Sequence, residues 1–450
     1  MAANGQQVRP FTIENRHVLA IAWPTTLAYL STPLLGLIDT GVVGQLGDAA
    51  LLGGLAVGAI LFDVIFTSFN FIRASTTGLV AQALGEGDDE RQRLVLVRAL
   101  LLSLAMGCLV LLLAPLLLAG GLWAMGVSEA VEKATIAYFT IRVLAAPLTL
   151  INYAVLGWLL GQARAGLGLA LQTILNGTNI VLSIFLGLHL GWGIEGVAWA
   201  TVIAEGVAVL FGLALCWLAY ARSGRPDWKR VFDGSALLRL FAVNRDIMIR
   251  SFCLLFAFAF FTAQGAKFGE TQLAANAILM NFFLISGYFL DGFATAAEQL
   301  AGKAVGARYR PAFQAAVRLT LIWGFILAGI ATAAFFLFGP WLIDTLTTVE
   351  DVRTAARTYL PWAALTALAG VVAFQMDGVY IGATWSVEMR NMMLISLAVY
   401  LLVCWAIIPV MGNHGLWLAL EVFLGMRGIT LFYRLRPNAD RTFRPVEGRG

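Results

Sequence analysis

Six carboxylates stand inside long apolar stretches of this chain: Asp39, Asp63, Glu205, Asp291, Glu298 and Asp377. An acid in a membrane segment is costly and by default marks a functional site. Taken out of water, a carboxyl group favours its neutral form. It can then accept a proton from one side of a membrane and release it on the other. In its charged form the same group can pair with a cationic solute. The two uses compete for one site, and that competition is a mechanism of exchange. Asp39 has the richest setting. It lies in the run Ser31-Thr-Pro-Leu-Leu-Gly-Leu-Ile-Asp39-Thr-Gly-Val-Val-Gly44, with Pro24 and Pro33 before it in the same apolar segment. A proline has no N–H to give the carbonyl four residues back. The turns at Ala20 and Tyr29 are therefore points where the helix can bend. Two readings of Asp39 stand: a wet, interfacial acid near a helix end, or a buried coupling acid.

Neutral polar residues accompany these acids. Asn176, Asn179 and Ser183 are three and four residues apart, which puts them on one helical face, and Thr201 falls in the next apolar segment. Such a seam either orients Asp39 or bonds helices together. In the second half, Asp377, Asp291 and Glu298 are candidates for a second cation or substrate site, or for structural pairing with arginine. Arg73 is a further candidate partner for a buried acid. Tyr29, Asn152, Tyr153, Met280 and Tyr288 are the candidates for a substrate cavity. Aromatic faces attract lipophilic cations, and methionine adapts to varied shapes. The competing reading is ordinary core or lipid-facing packing.

Other chemistry is excluded. His17, His189 and His414 lie in or beside loops, and none stands at metal-ligand spacing from the acids. The chain carries no Ser/His/Asp set and no nucleotide motif, and it has no room for a nucleotide-hydrolysing domain. No enzyme, metal or cofactor is expected, and uphill work must draw on an ion gradient of protons or sodium. The four cysteines all fall in apolar stretches and serve as small core hydrophobes.

The elements that position these residues are membrane helices. Of the 450 residues, 60% are hydrophobic and 12% charged, about half the charged fraction of a soluble domain. The mild basic excess implies no nucleic-acid partner. Residues 1–16 are polar and the first apolar segment is too long for a cleavable signal. Windows of about 20 apolar residues give twelve spans, near 17–43, 50–83, 94–120, 131–160, 165–188, 195–221, 237–264, 272–302, 312–340, 353–382, 388–411 and 415–434. Basic residues collect on one side of this pattern: Arg9 and Arg16, Arg91, Arg93 and Arg98, Arg164, the 222–250 connection with Arg239, Arg245 and Arg250, then Lys303, Arg308, Arg310, Arg318, Arg390 and the tail after Arg427. The other side holds only Lys133, Arg142, Lys267, Arg353 and Arg357. By the positive-inside rule both termini are cytoplasmic.

The two halves also repeat. Gly47 and Gly269 differ by 222 positions (269 − 47), while Tyr138 and Tyr359 (359 − 138), Gly157 and Gly378, and Gly161 and Gly382 all differ by 221. Six spans per half gives both halves the same orientation, which implies a pseudo-twofold axis along the membrane normal and a substrate path between halves. The expected organisation is an all-α integral membrane protein of twelve transmembrane helices in two six-helix lobes. It comprises a cytoplasmic segment 1–16, a first lobe 17–221, a cytoplasmic linker 222–236, a second lobe 237–434 and a basic cytoplasmic tail 435–450.

At this point the chain resembles the multidrug and toxic compound extrusion (MATE) transporters, and their DinF-like branch in particular. The resemblance rests on Ile38-Asp39-Thr40-Gly-Val-Val-Gly44, Ala81-Gln-Ala-Leu-Gly-Glu-Gly-Asp88, Leu273-Ala-Ala-Asn-Ala-Ile278, Leu290-Asp-Gly-Phe-Ala294, Gly302-Lys-Ala-Val-Gly306 and Met376-Asp-Gly-Val-Tyr-Ile-Gly-Ala-Thr384 with Glu388-Met-Arg-Asn391. It implies cation-coupled multidrug efflux of amphipathic, often cationic compounds by an antiporter of the cytoplasmic (inner) membrane, acting as a monomer in the lipid bilayer. It maps the coupling acid to Asp39, the helix bend to Pro24, and the polar motifs of the fifth and sixth helices to Asn179 and Thr201. Some relatives carry a further acid where this chain has Ser183, which favours a proton site over a sodium site in the first lobe. The acid of the tenth helix maps to Asp377, so sodium coupling there is the alternative. A flippase for lipid-linked precursors is a second alternative, and a passive channel a third.

Overall fold

The computed structural model describes residues 8–221 and 227–444. Parts of three expected segments, 1–7, 222–226 and 445–450, lie outside the described residues. Within them, twelve helices are long and apolar enough to cross a membrane. They are α1 (Asn15–Gly44), α2 (Ala49–Glu86), α3 (Asp89–Met125), α4 (Glu129–Gly161), α5 (Ala165–His189), α6 (Gly193–Tyr220), α7 (Trp228–Ala266), α8 (Glu270–Gly306), α9 (Arg310–Leu346), α10 (Glu350–Gly382), α11 (Ser386–Met411) and α12 (Asn413–Thr442). In hydrocarbon every backbone group must bond within its own segment, which leaves the helix as the available element for such sequences.

Local chemistry sets the ends and breaks. Asp48 accepts from the Ala50 N–H at 2.8 Å to start α2, and Asp88 accepts from the Arg91 N–H at 2.8 Å to start α3. Gly126, in the left-handed region, closes α3. α2 is interrupted at Phe69-Asn70, and α4 tightens to a 3-10 turn at Val143–Ala145 just before Pro147, whose missing N–H forbids a regular helix there. α7 breaks at Phe232-Asp233, where Asp233 accepts from the Ala236 N–H and starts Gly234–Ala266. α12 runs on to Thr442, past the expected end at 434. Asn438 and Ala439 are buried there, and the Trp385 indole donates to Thr442 Oγ1 at 3.1 Å.

The chain forms two compact units. One holds Leu27–Val80 and Asp88–Phe241, here the N-terminal unit; the other holds the residues through Thr26, Ala81–Gly87 and Ala242 onward, here the C-terminal unit. The unit boundary falls inside α1 between Thr26 and Leu27, three residues beyond Pro24. Residues 81–87 join the C-terminal unit through the Gln82 amide, which donates to the Gly382 carbonyl at 2.9 Å and to Thr384 Oγ1 at 3.1 Å.

The internal repeat is physical. In the N-terminal unit, a Cβ on Gly157 would strike the carbonyl of Arg73, and one on Gly161 would strike that of Thr77. In the C-terminal unit, Gly378 and Gly382 stand in the same way against the carbonyls of Ala294 and Glu298. Each of these four positions is matched at an offset of 221 (294 − 73 and 298 − 77 for the carbonyls). The end of α2 meets the end of α8 reciprocally, Gly85 against the Lys303 carbonyl and Gly306 against the Gln82 carbonyl. Close backbone approach through glycine is how helices pack where the hydrophobic effect does not operate.

Gly157→Val and Gly378→Val should therefore cost similar amounts, on the order of 1–3 kcal/mol or more each from overpacking against backbone. Thermal unfolding of the detergent-solubilised variants would show it; a large loss at one position only would deny the equivalence.

Candidate functional site

α1, α5 and α6 build the polar seam of the N-terminal unit. Asp39 is only 8% exposed, and its Oδ1 lies 2.8 Å from the Ser183 hydroxyl. That hydroxyl lies 3.0 Å from Asn179 Oδ1. The Asn179 amide donates to Thr201 Oγ1 at 3.0 Å, and Thr201 donates to the Val197 carbonyl at 3.3 Å. A hydroxyl carries one proton, so Ser183 donates to Asp39 or to Asn179 but not to both. With Asp39 neutral, the carboxyl proton can go to Ser183 Oγ and the Ser183 proton to Asn179. Every donor then has an acceptor, from α1 through α5 to the backbone of α6. With Asp39 ionised, Ser183 must turn to it and Asn179 Oδ1 loses its donor. The chain thus has two directions, set by one proton.

Ser183 also opens a π-helical turn, Ser183–His189. Its wide loop is visible in the Leu190 N–H bonding the Phe185 carbonyl at 2.9 Å. Such turns are rare and collect at functional positions. Asn176 does not bond Asp39. Its amide donates to Ser31 Oγ at 2.6 Å, so it grips α1 two turns before the acid.

A second polar centre forms around Glu205, one turn beyond Thr201 on α6. Thr149 donates to Glu205 Oε1 at 2.9 Å and Asn152 to Oε2 at 2.6 Å. Asn152, a candidate for the substrate cavity, is hydrogen-bonded to this acid. Arg142, expected on the loop side opposite the basic face, stands within α4. Its Nη1 donates to the Tyr138 hydroxyl at 2.6 Å and its guanidinium lies 4.6 Å over the Phe62 ring. Arg73 donates to the Asn70 side chain at 3.0 Å.

The C-terminal unit is arranged differently. Asp377 Oδ2 accepts from both Arg250 and Arg427, the latter at 2.6 Å. Asp377 and Arg427 are buried, and the Arg250 side chain is 16% exposed. Two guanidinium groups thus hold the carboxylate expected at a second-lobe cation or substrate site. Arg250 and Arg427 are also not loop or tail residues, as their inclusion in the basic side supposed; they sit in α7 and α12. Asp246, fully buried, accepts from Arg390 at 2.7 Å and from Ser386 at 3.0 Å. The Asp291 side chain is exposed and Glu298 is buried. Met280 packs against the apolar core of this unit. Tyr29, Tyr153 and Tyr288 are each half-buried. Pro24 and Pro33 leave α1 an unbroken helix, with Thr25 Oγ1 donating to the Ile21 carbonyl at 2.7 Å. Among the described residues no group of three or more His, Cys, Asp or Glu could hold a metal ion.

Sequence reasoning named Glu205 and Asn152 without pairing them and allowed an arginine on Asp377 without saying which, and it missed the Asp246 pair. Arg427 had a signal, since it falls inside the window 415–434 and is ionisable there.

A duplicated set of six spans, with titratable groups held inside the helices, defines a polytopic membrane protein. The MatE family model matches residues 24–185 and 247–406. The DNA damage-inducible protein F of Escherichia coli K12 is 38% identical over 426 residues, 93% of this chain and 92% of that protein. A probable multidrug resistance protein NorM of Caulobacter vibrioides is 25% identical over 93% of this chain and 88% of its own length. A MOP superfamily transporter from Pyrococcus furiosus shares the fold with a TM-score of 0.87 at 18% identity, over 97% of this chain and all of that one. The chain belongs to the MatE family.

Asp377→Asn should destabilise the protein by about 3–5 kcal/mol, because it removes the carboxylate that the buried Arg427 and the partly exposed Arg250 share. The double variant Asp377→Leu/Arg427→Leu should recover part of that loss in a thermal-shift assay; a single variant as stable as the parent would show that the pair does not hold α7, α10 and α12 together.

Proposed function

We propose that the chain is a secondary active multidrug exporter of the cytoplasmic membrane, with both termini inside. It exchanges amphipathic, often cationic compounds for protons at Asp39, and it needs no cofactor beyond the coupling ion. The observation that carries this reading is the Ser183 hydroxyl between Asp39 and Asn179. Protonation reverses the hydrogen-bond chain and so changes how α1 is held to α5. Deprotonation leaves a buried carboxylate whose favoured counter-charge is a cationic solute. The names of the relatives, a probable multidrug resistance protein among them, support drug-like substrates. Sodium coupling through Asp377 is the weaker reading, because two arginines already occupy that carboxylate.

Bending of α1 is the proposed link to transport. Pro24 leaves the Ala20 carbonyl without its helical donor, and the division between the units follows three residues later. Seven residues beyond Pro24, α1 is fastened to α5 at Ser31, and again at Asp39. A helix gripped on one side of a weak turn bends at that turn.

Asp39→Asn supplies an amide donor to Ser183 and so mimics the neutral acid. It should leave folding and thermal stability near those of the parent while lowering pH-gradient-driven efflux of a fluorescent cation from proteoliposomes by tenfold or more. Full transport by this variant, or efflux driven by an imposed sodium gradient alone, would sink the proton-coupling role. Pro24→Ala should restore the missing donor and slow turnover with substrate affinity little changed; unaltered kinetics would make the bend incidental.

A further inference from the structure

The C-terminal unit holds a concave groove between α9 and α12 that the transport reading does not use. Its volume is about 1050 Å³, and it is lined at one end by Arg310, Arg318 and Arg436 and elsewhere by apolar side chains such as Leu321, Phe325 and Phe432. Those three apolar residues also line a further 470 Å³ of the same depression. The charges are ordered along the groove. Arg310 opens α9 and donates to Asp440 near the end of α12 at 2.6 Å, so the two helix ends meet there. Arg318 stands eight residues along α9, about 12 Å deeper at 1.5 Å per residue. Ile322, Phe325 and Ile326 follow, each more than 40% exposed.

Arg310 is neutralised by Asp440, but Arg318 and Arg436 have no ion-pair partner among the described residues. A guanidinium this far along a membrane helix needs a counter-charge or must reach back to the interface. Both guanidinium groups line the one groove, whose remaining lining is largely apolar. An ordinary lipid-facing helix wall has neither the concavity nor the charge pair. The basic end is the cytoplasmic one by the distribution of arginine in the chain, and basic pockets between helices on that side suit anionic headgroups.

We propose that this groove binds an anionic phospholipid of the cytoplasmic leaflet. The phosphate bridges Arg318 and Arg436, and an acyl chain lies along Leu321, Phe325 and Phe432. Lipid seated there ties α9 to α12 on the surface of the C-terminal unit.

The test is native mass spectrometry of the full chain released from phosphatidylcholine bilayers containing phosphatidylglycerol. The parent should retain phosphatidylglycerol in preference to phosphatidylcholine. Arg318→Gln/Arg436→Gln should lower that retention about tenfold or more, and Arg318→Lys, which keeps the charge, should preserve it. Leu321→Trp, which fills the trough and keeps both arginines, should also lower it. Equal retention of both lipids by the parent, or unchanged retention in the double glutamine variant, would overturn the proposal. Displacement of the lipid by millimolar inorganic phosphate, with Leu321→Trp without effect, would assign the site to a soluble anion and overturn it equally.

Discussion

A polar or charged side chain inside a membrane must find its partner within the protein, and the placement of helices here depends on that constraint. Lipid tails are as apolar as leucine, so burial of apolar surface does not choose which helices touch. Two things do so in this chain: glycines that admit a neighbouring backbone, and polar groups that would otherwise be orphaned. Asp39 is satisfied only if α5 brings Ser183 to it. Glu205 is satisfied only if α4 brings Thr149 and Asn152. Asp377 requires both α7 and α12.

The two halves share the first device and differ in the second. The glycine contacts of α4 on α2 recur as those of α10 on α8, residue for residue at an offset of 221. The polar residues do not recur. Position 377 corresponds to Leu156, position 427 to Gly206, and position 205 to Met426 (each at a difference of 221). Duplication thus supplies a scaffold whose packing is held by backbone geometry, leaving side-chain positions free to diverge. A glycine against a carbonyl tolerates almost no substitution, whereas the residue beside it can be leucine in one half and aspartate in the other.

This division also explains what could be read from the sequence. Spans were legible because hydrocarbon thickness sets their length, and the repeat was legible because its invariant parts are glycines at fixed spacing. The seam of Asp39, Asn179, Ser183 and Thr201 was legible in part, since Asn179 and Ser183 share a helical face and Asp39 is an acid in an apolar run. Its connectivity was not. Asn176 lies on the same face of α5 but reaches Ser31, because α1 crosses α5 at a register that no periodicity encodes. The arginines on Asp377 were hidden for a different reason. Arg250 and Arg427 sit 127 and 50 residues from it, and a basic residue near a span end counts toward topology until a buried partner is known. The connection at 222–250 looked like one polar break, yet the helix restarts at Gly234 because Asp233 caps it.

The charge arrangements give the two units different capacities on the proposed reading. An acid held by two guanidinium groups cannot easily change state, since protonating it would take the counter-charge from the buried Arg427 and the partly exposed Arg250. Asp377 therefore acts as a fixed joint for α7, α10 and α12. An acid held by neutral hydroxyl and amide groups has no such penalty, because Ser183, Asn179 and Thr201 can reverse their donors as a proton arrives or leaves. Arg142 stands nearby in α4 with its guanidinium on the Tyr138 hydroxyl and over the Phe62 ring. A switch needs an element whose two states differ by little, and a joint needs one whose alternative is costly. The polar inserts that distinguish the halves assign the first property to the N-terminal unit and the second to the C-terminal unit, although both are built on the same glycine framework.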